Sequence, residues 1–382
     1  MLMRKARETD HPDTRSNWGK FDHTVMVLQG GGALGAYQAG VYAGLAEAAV
    51  APDWIAGVSI GAINAALIAG NPPERRVERL REFWQRISAH APFVPSPSLD
   101  PIRPLLNFMS AASSVAFGVP GFFTPRTTGP FVAPQASIET LSMYDTYPLR
   151  QTLKELVDFE LINQHAVRLS LGAVNVQSGN SVYFDNTKTE IGPEHVMASG
   201  ALPPGFPAVQ IDGQWYWDGG IACNSPLWYV LDEDFRMSAL ILQVDVFSGA
   251  GALPTNLRKV QERCKDIQYA SKTRFNTTRI SEIEALRNSL RRVLDKLPDS
   301  LKTDADVQKL DAISTRGAVA LVHFINRHTT QSSNFKDYEF SRATVTELWD
   351  FGYRDAQKSL SDPKWQEATD LGNGVHVYDL TV

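Results

Sequence analysis

Cysteine is scarce: Cys223 and Cys264 are the two in a chain of 382 residues, and they stand far apart. That excludes a disulfide framework and a zinc site built from clustered cysteines. Nowhere does an uninterrupted apolar run approach the ~18 residues that a membrane-spanning helix needs. Excess positive charge is also missing. With 37 basic and 42 acidic side chains the net charge is −5, which offers no global electrostatic reason to bind nucleic acid. The leader, residues 1–21, is polar and highly charged and lacks the apolar core of a secretory signal, so the cytoplasm is the expected location. No internal repeat marks a solenoid.

The remainder is ordinary for a folded protein, at 43% hydrophobic and 21% charged residues. The length suits one large domain with an appendage, or two domains. One local bias stands out. Nine of the 22 prolines fall between Pro92 and Pro134, with six of the 18 phenylalanines. Before that stretch, strand, glycine turn and helix alternate twice: Thr24–Gln29 into a helix over 34–49, then Trp54–Val58 into a helix over 60–69. This is the rhythm of an α/β sheet covered by helices. Glu74–Ser88 reads as an amphipathic helix. Further strands are expected over 167–176, 182–184 and 239–247, with a hairpin of 209–211 and 214–217 around Asp212-Gly213. After Gly251 the pattern turns helical, with helices expected over 310–326 and 343–360. Residues 258–302 hold 12 basic and 6 acidic side chains, and Ile280, Ile283, Leu286, Leu290, Val293, Leu294 and Leu297 form an apolar stripe there.

Two glycine turns carry the chemistry. The first, Gly30-Gly31-Gly32-Ala33-Leu34-Gly35, spells the dinucleotide-binding fingerprint G-x-G-x-x-G. Its ribose-binding acid would be Asp53, but Asp53 precedes the second strand, whereas that carboxylate belongs at a strand's carboxyl end. The second turn, Gly57-Val58-Ser59-Ile60-Gly61, is a G-x-S-x-G nucleophile elbow on a strand-to-helix junction. Its serine is held in a sharp turn, with the amide-rich start of a helix behind it. A serine nucleophile needs a base and an oxyanion hole. The first glycine turn can supply N–H donors. For the base, the usual serine–acid–histidine order would implicate His323, His328 or His376, none in a glycine-marked loop after a strand. Asp218 ends a strand and is followed by Gly219-Gly220, so it could accept the serine proton directly.

Together, Gly30–Gly35, Gly57–Gly61 and Asp218–Gly220 resemble, in order, the motifs of the patatin-like phospholipase family. The resemblance covers residues 22–247 and extends to Ala198-Ser199 and to Asn224-Ser225-Pro226-Leu227. It implies a three-layer α/β/α fold with a mainly parallel sheet, a catalytic domain over 22–247 and a helical C-terminal region over 248–382. It also implies Ser59 as nucleophile, Asp218 as general base, and an oxyanion hole from Gly30, Gly31, Gly32 and Ala33. Gly35, Gly57, Gly61, Gly219 and Gly220 would shape these turns. No metal or cofactor is expected. Leu34 departs from the family, many of whose members carry Arg or Lys there, and this weakens the case for binding phosphate by charge. The expected activity is hydrolysis of (phospho)lipid carboxylic esters; the alternative is an esterase or depolymerase acting on non-phospholipid esters such as intracellular polyhydroxyalkanoate. The 92–134 stretch is expected to cap the serine. With the basic helices, it would suit peripheral contact with a membrane or a storage granule.

Overall fold

The computed structural model describes residues 21–88, 103–126, 137–233, 237–271, 273–314, 317–328, 336–366 and 374–381. The leader before residue 21 and the 92–102 and 127–134 parts of the proline-rich stretch lie outside these residues. So do the side chains of 103–108 and of Ile280.

Strands β1 (His23–Leu28) and β2 (Trp54–Val58) lead through their glycine turns into helices α1 (Gly35–Glu47) and α2 (Ile60–Ala69). Helix α3 (Pro73–Arg86) follows, then α4 (Arg103–Phe117) from the proline-rich stretch, and the two-residue strands β3 (Thr124–Pro125) and β4 (Tyr144–Asp145). Next come α5 (Tyr147–Leu156), α6 (Phe159–Asn163), β5 (Arg168–Asn175), β6 (Ser181–Asp185) and α7 (Pro193–Ser199). The hairpin β7 (Val209–Ile211) and β8 (Gln214–Asp218) turns through Asp212 and Gly213, at φ 50° and 77°. Both positive angles are what a tight Asp-Gly hairpin turn requires. Helix α8 (Leu227–Leu231) and strand β9 (Ala239–Asp245) complete the region that the motifs span.

The C-terminal part holds α9 (Leu257–Tyr269), α10 (Thr273–Leu294), α11 (Asp299–Lys302), α12 (Ala305–Ser314), β10 (Ala318–Ile325), α13 (Arg342–Leu360), α14 (Pro363–Gln366) and β11 (Gly374–Asp379). Helices dominate it, as expected, but the helix expected over 310–326 is corrected. Its second half is β10, which pairs in parallel with β9 and β11. The run Ala-Val-Ala-Leu-Val-His-Phe-Ile is apolar on both faces, and periodicity does not separate such a strand from a buried helix. The stripe of the basic region is corrected too: Leu286 and Val293 are exposed, whereas Leu294 is buried.

The main sheet runs β11-β10-β9-β1-β2-β5-β8-β7, with β6 also on β5. From β11 to β5 all neighbours are parallel; β6, β7 and β8 are antiparallel. Alternate residues of the central strands face opposite layers, as the period of two dictates. Met26 and Leu28 of β1, Leu240 and Leu242 of β9, and Ala320 and Val322 of β10 join the larger core under α1, α2, α3 and α13. Val25, Val27, Ile241, Val319 and Leu321 join a second cluster with Leu227 and Val230 of α8. Both faces are therefore covered, which gives a mostly parallel α/β/α sandwich. The order reverses at β1, since β2 lies on one side and β9 on the other. Such a switch point opens a crevice at the carboxyl ends of the strands, where ligands of open α/β sheets bind.

Candidate active site

The carboxyl ends of β1 and β2 deliver the two glycine turns to that crevice. Ser59 has φ 58° and ψ −125°, a strained conformation for a residue with a side chain. Its geometry depends on close backbone approach. A Cβ on Gly57 would lie 2.4 Å from the Gly61 carbonyl oxygen, and one on Gly61 would lie 2.4 Å from that of Leu28. The Ser59 N–H donates to Ser199 Oγ at 3.0 Å, and Ser199 Oγ donates to the Gly172 carbonyl at 2.6 Å. The elbow is thereby tied to α7 and β5. The N–H of Ile60, the first residue of α2, has no partner within the helix.

Asp218 ends β8 with 1% exposure. Its Oδ1 accepts from the Gly220 N–H at 2.7 Å. Burial pushes the carboxyl up to about 6, against hydrogen bonds from the Ser59 side chain and the Gly220 N–H that pull it down. A carboxyl so placed is still ionised at neutral pH and is a far better base than an exposed aspartate.

The four candidate oxyanion donors separate into two pairs. The Gly30 N–H donates to the Asn224 carbonyl at 3.0 Å, and the Ala33 N–H donates to the Asp337 carbonyl at 2.9 Å. Both are committed elsewhere. Among the described residues, the N–H groups of Gly31 and Gly32 meet no acceptor, and both glycines line the cavity that holds Ser59 and Asp218. Gly35 opens α1, and its carbonyl accepts from Asn64 Nδ2. Gly219 packs against the Gly172 carbonyl.

The cavity encloses about 320 Å³. One wall is apolar, with Val115 from α4, Phe122, Phe123, Tyr144, Phe206 and Phe340. The four phenylalanines and Tyr144 pack edge-on or tilted on one another. The other wall carries Asn224, Lys265, Tyr269, Asp337 and Tyr338. Lys265 and Asp337 form an ion pair at 2.5 Å. Asp53 lies at the amino ends of β1 and β2, opposite the carboxyl ends that form this crevice, where it accepts from the Thr24 N–H and contacts the His23 ring. Asp53 is therefore not placed to hold a ribose at this cavity. His323 is not on a helix, as the sequence suggests, but buried in β10; among the described residues its ring nitrogens meet no hydrogen-bond partner, and burial pushes it down to about 4. His328 stacks on Phe351 and pairs with Asp355 at 3.2 Å. Neither lines the cavity, and nor does His376.

A sequence profile described as patatin-like phospholipase matches residues 26–231. The chain belongs to the patatin-like phospholipase family. A second profile, described as patatin phospholipase, matches residues 267–371, so the patatin-like signature extends into the C-terminal part. This places the chain in a family of lipid acyl hydrolases. Curated proteins give no significant match. Among solved structures, VipD from Legionella pneumophila is 14% identical with a TM-score of 0.38, over 89% of this chain and 67% of that one. Human GIVD cytosolic phospholipase A2 is 11% identical with a TM-score of 0.40, over 90% of this chain and 59% of its own. In this patatin-like chain Leu34 is buried. The cationic group of the cavity is instead Lys265, more than two hundred residues downstream. No spacing rule points to Lys265, Tyr269, Asp337 or Tyr338. Asn224 and Ser199 lie in motifs that the sequence singles out, but their hydrogen bonds are visible only in the fold.

Proposed function

We propose that this chain hydrolyses carboxylic esters of lipids with Ser59 as nucleophile and Asp218 as general base. The observation that carries this reading is one cavity holding a strained serine at a helix start, a buried aspartate raised to about 6, and an apolar wall. Ser59 Oγ attacks the ester carbonyl carbon while Asp218 takes its proton. The tetrahedral oxyanion is held by the N–H groups of Gly31 and Gly32, with that of Ile60 next to the nucleophile as a further donor. Each such donor is worth about 2.7–4 kcal/mol of barrier. Collapse expels the alcohol, which takes the proton from Asp218 and leaves an acyl-serine. Water then attacks the acyl carbon and gives its proton to Asp218, and return of that proton to Ser59 Oγ releases the carboxylic acid.

At the mouth, Val115 and Met143 line the cavity and are also exposed, and their chain neighbours Phe117 and Leu141 are exposed too. This rim supports an enzyme that meets its substrate at a lipid or polymer surface. Among the described residues no helix is long and apolar enough to cross a membrane. One observation favours non-phospholipid esters as a second reading: Lys265 is neutralised by Asp337, which leaves the cavity without a net cation for a phosphate.

The test is turnover by Ser59→Ala and Asp218→Asn on phospholipid, lysophospholipid, p-nitrophenyl esters and poly(3-hydroxybutyrate). Both variants should fold, and both should fall to background on whichever substrate the parent cleaves. If either variant keeps most of the activity, the assignment is wrong; the substrate that the parent prefers separates the two readings.

A further inference from the structure

Three consecutive glycines have no side chains with which to pack, so the Gly30–Gly32 loop does not fix its own conformation. Something outside it must hold the two N–H groups in place if they are to act without reorganisation. The turn at 336–338 does this from the far end of the chain. The Asp337 carbonyl accepts from the Ala33 N–H at 2.9 Å. Gly32, at φ +56°, comes so close that a Cβ there would lie 2.2 Å from the same oxygen.

That turn is itself anchored twice on α9. Lys265 Nζ pairs with Asp337 Oδ1 at 2.5 Å, and the next residue, Asp266, pairs through Oδ1 with Lys336 Nζ at 2.5 Å. Two adjacent residues of opposite charge thus grip two adjacent residues of opposite charge, so that a shift in register would set like charges together. Three of the four side chains are less than a fifth exposed, and Lys265 is 23% exposed, so water screens these pairs less than it would a surface pair. Lys265 also lies over the Tyr338 ring, 5.1 Å from its centre. At its C-terminal end α9 reaches the other side of the loop. The Tyr269 carbonyl accepts from Asn224 Nδ2 and from Gln29 Nε2, and Asn224 Nδ2 donates as well to the Gly30 carbonyl.

We propose that the crossed pairs Lys265–Asp337 and Asp266–Lys336 are a positioning device for the oxyanion loop: they hold the Asp337 carbonyl on the Ala33 N–H and so aim the N–H groups of Gly31 and Gly32 at the reacting carbonyl. None of the four side chains needs to touch the reacting atoms. The inference rests on the reading of Ser59 as nucleophile. It makes the C-terminal region part of the catalytic apparatus. Lys265 and Asp337 line the cavity, whereas Asp266 and Lys336 do not, and this difference allows positioning to be told from substrate binding.

The experiment measures kcat and KM of the full chain on a short soluble p-nitrophenyl ester, with Ser59→Ala as control. Asp266→Asn, Lys336→Met and the double variant Asp266→Asn/Lys336→Met are compared with Lys265→Met and Lys265→Arg. A displaced loop should lower kcat by about 10- to 100-fold in either pair, since a misplacement near 1 Å costs about that much. KM should stay within about twofold. The two single variants and the double variant of the second pair should lose similar amounts, because each breaks the same link. Lys265→Arg, which keeps the charge, should recover most of the rate. Unchanged kcat in the Asp266 and Lys336 variants overturns the proposal. So does a raised KM at unchanged kcat in Lys265→Met, which would make Lys265 a substrate contact. Should Lys336→Met fail to fold, the double variant leaves no buried charge unpaired and gives the same readout. If Ser59→Ala keeps its turnover, the reading of the nucleophile fails; if Ser59→Ala is inactive and the pair variants match the parent, the positioning device alone fails.

Discussion

At Asp218 two demands conflict. The folded chain raises this carboxyl to about 6 by burial, against about 3.9 for a free aspartate. Its contribution to stability is therefore fully present below the unfolded value and is lost as pH rises through about 6. At pH 8 the native state carries a buried charge that the unfolded chain would solvate, at a cost on the order of 1–3 kcal/mol. Asp218→Asn is expected to raise the thermal midpoint at pH 8 while abolishing turnover, and to lose that advantage near pH 4. Thermal unfolding at the two pH values checks this. For the parent, the proposed mechanism expects kcat/KM on a neutral ester to fall as pH drops below about 6, following one ionisation, because a protonated Asp218 could no longer accept the Ser59 proton. A profile flat from pH 4 to 8 would contradict it. The Asp-Gly-Gly motif makes this residue legible in the chain. Its burial is not legible, since the walls that exclude water come from distant segments. The same limit applies at Ala33. As part of a glycine-rich turn it reads as one more donor, yet its N–H is spent on Asp337.

Among the elements, the β2–α2 elbow was fully readable, because the turn demands small residues at fixed offsets whatever surrounds it. Its tolerance is correspondingly narrow. Gly61→Ala would drive a Cβ to 2.4 Å from the Leu28 carbonyl, and backbone does not yield cheaply. This variant should lose at least about 1–3 kcal/mol of stability and most of its labelling by a fluorophosphonate, both measurable on purified protein. The proline-rich stretch reads in the chain as a cap over the serine, but its composition does not say which of its residues reach the cavity. Its described part places α4 and Phe122-Phe123 at the cavity, and leaves Phe117 79% exposed. Phe117→Glu should therefore reduce hydrolysis of esters in vesicles or emulsions several-fold and leave a soluble short-chain ester untouched. Equal loss on both would indicate a damaged fold and not a lost surface contact. Strand β10 shows the opposite failure. Buried on both faces, it carries no alternation, and its identity as a strand comes from pairing with β9.

Across the whole molecule, the C-terminal region is built into the sheet and the main helical layer. Helices α1 and α13 approach so closely that a Cβ on Gly40 would lie 2.0 Å from the Trp349 carbonyl oxygen, and one on Gly352 would lie 2.0 Å from that of Tyr37. Most of α1 is buried on every side, so it depends on α13 for cover. Gly352→Leu should force these backbones apart and cost at least about 1–3 kcal/mol. The thermal midpoint should fall, and activity should fall with it, because α13 also packs on the turn Gly32–Leu34, which includes one of the proposed oxyanion donors. An unchanged midpoint would show that the contact is not close-packed in solution.

By itself the sequence determined the rhythm of the first half, the elbow at Ser59, the glycine turn at Gly30–Gly32 and the strand-end aspartate. These rest on short-range sterics: a serine in a strained turn needs small neighbours, and a tight hairpin needs Asp-Gly. Tertiary structure alone decided which N–H groups remain available, how deeply Asp218 is buried, and that Lys265, Tyr269, Asp337, Tyr338 and Phe340 complete the cavity. Those are outcomes of long-range packing, in which a carbonyl at Asp337 meets an amide at Ala33 because two strands and a helix of the C-terminal region close the same sheet.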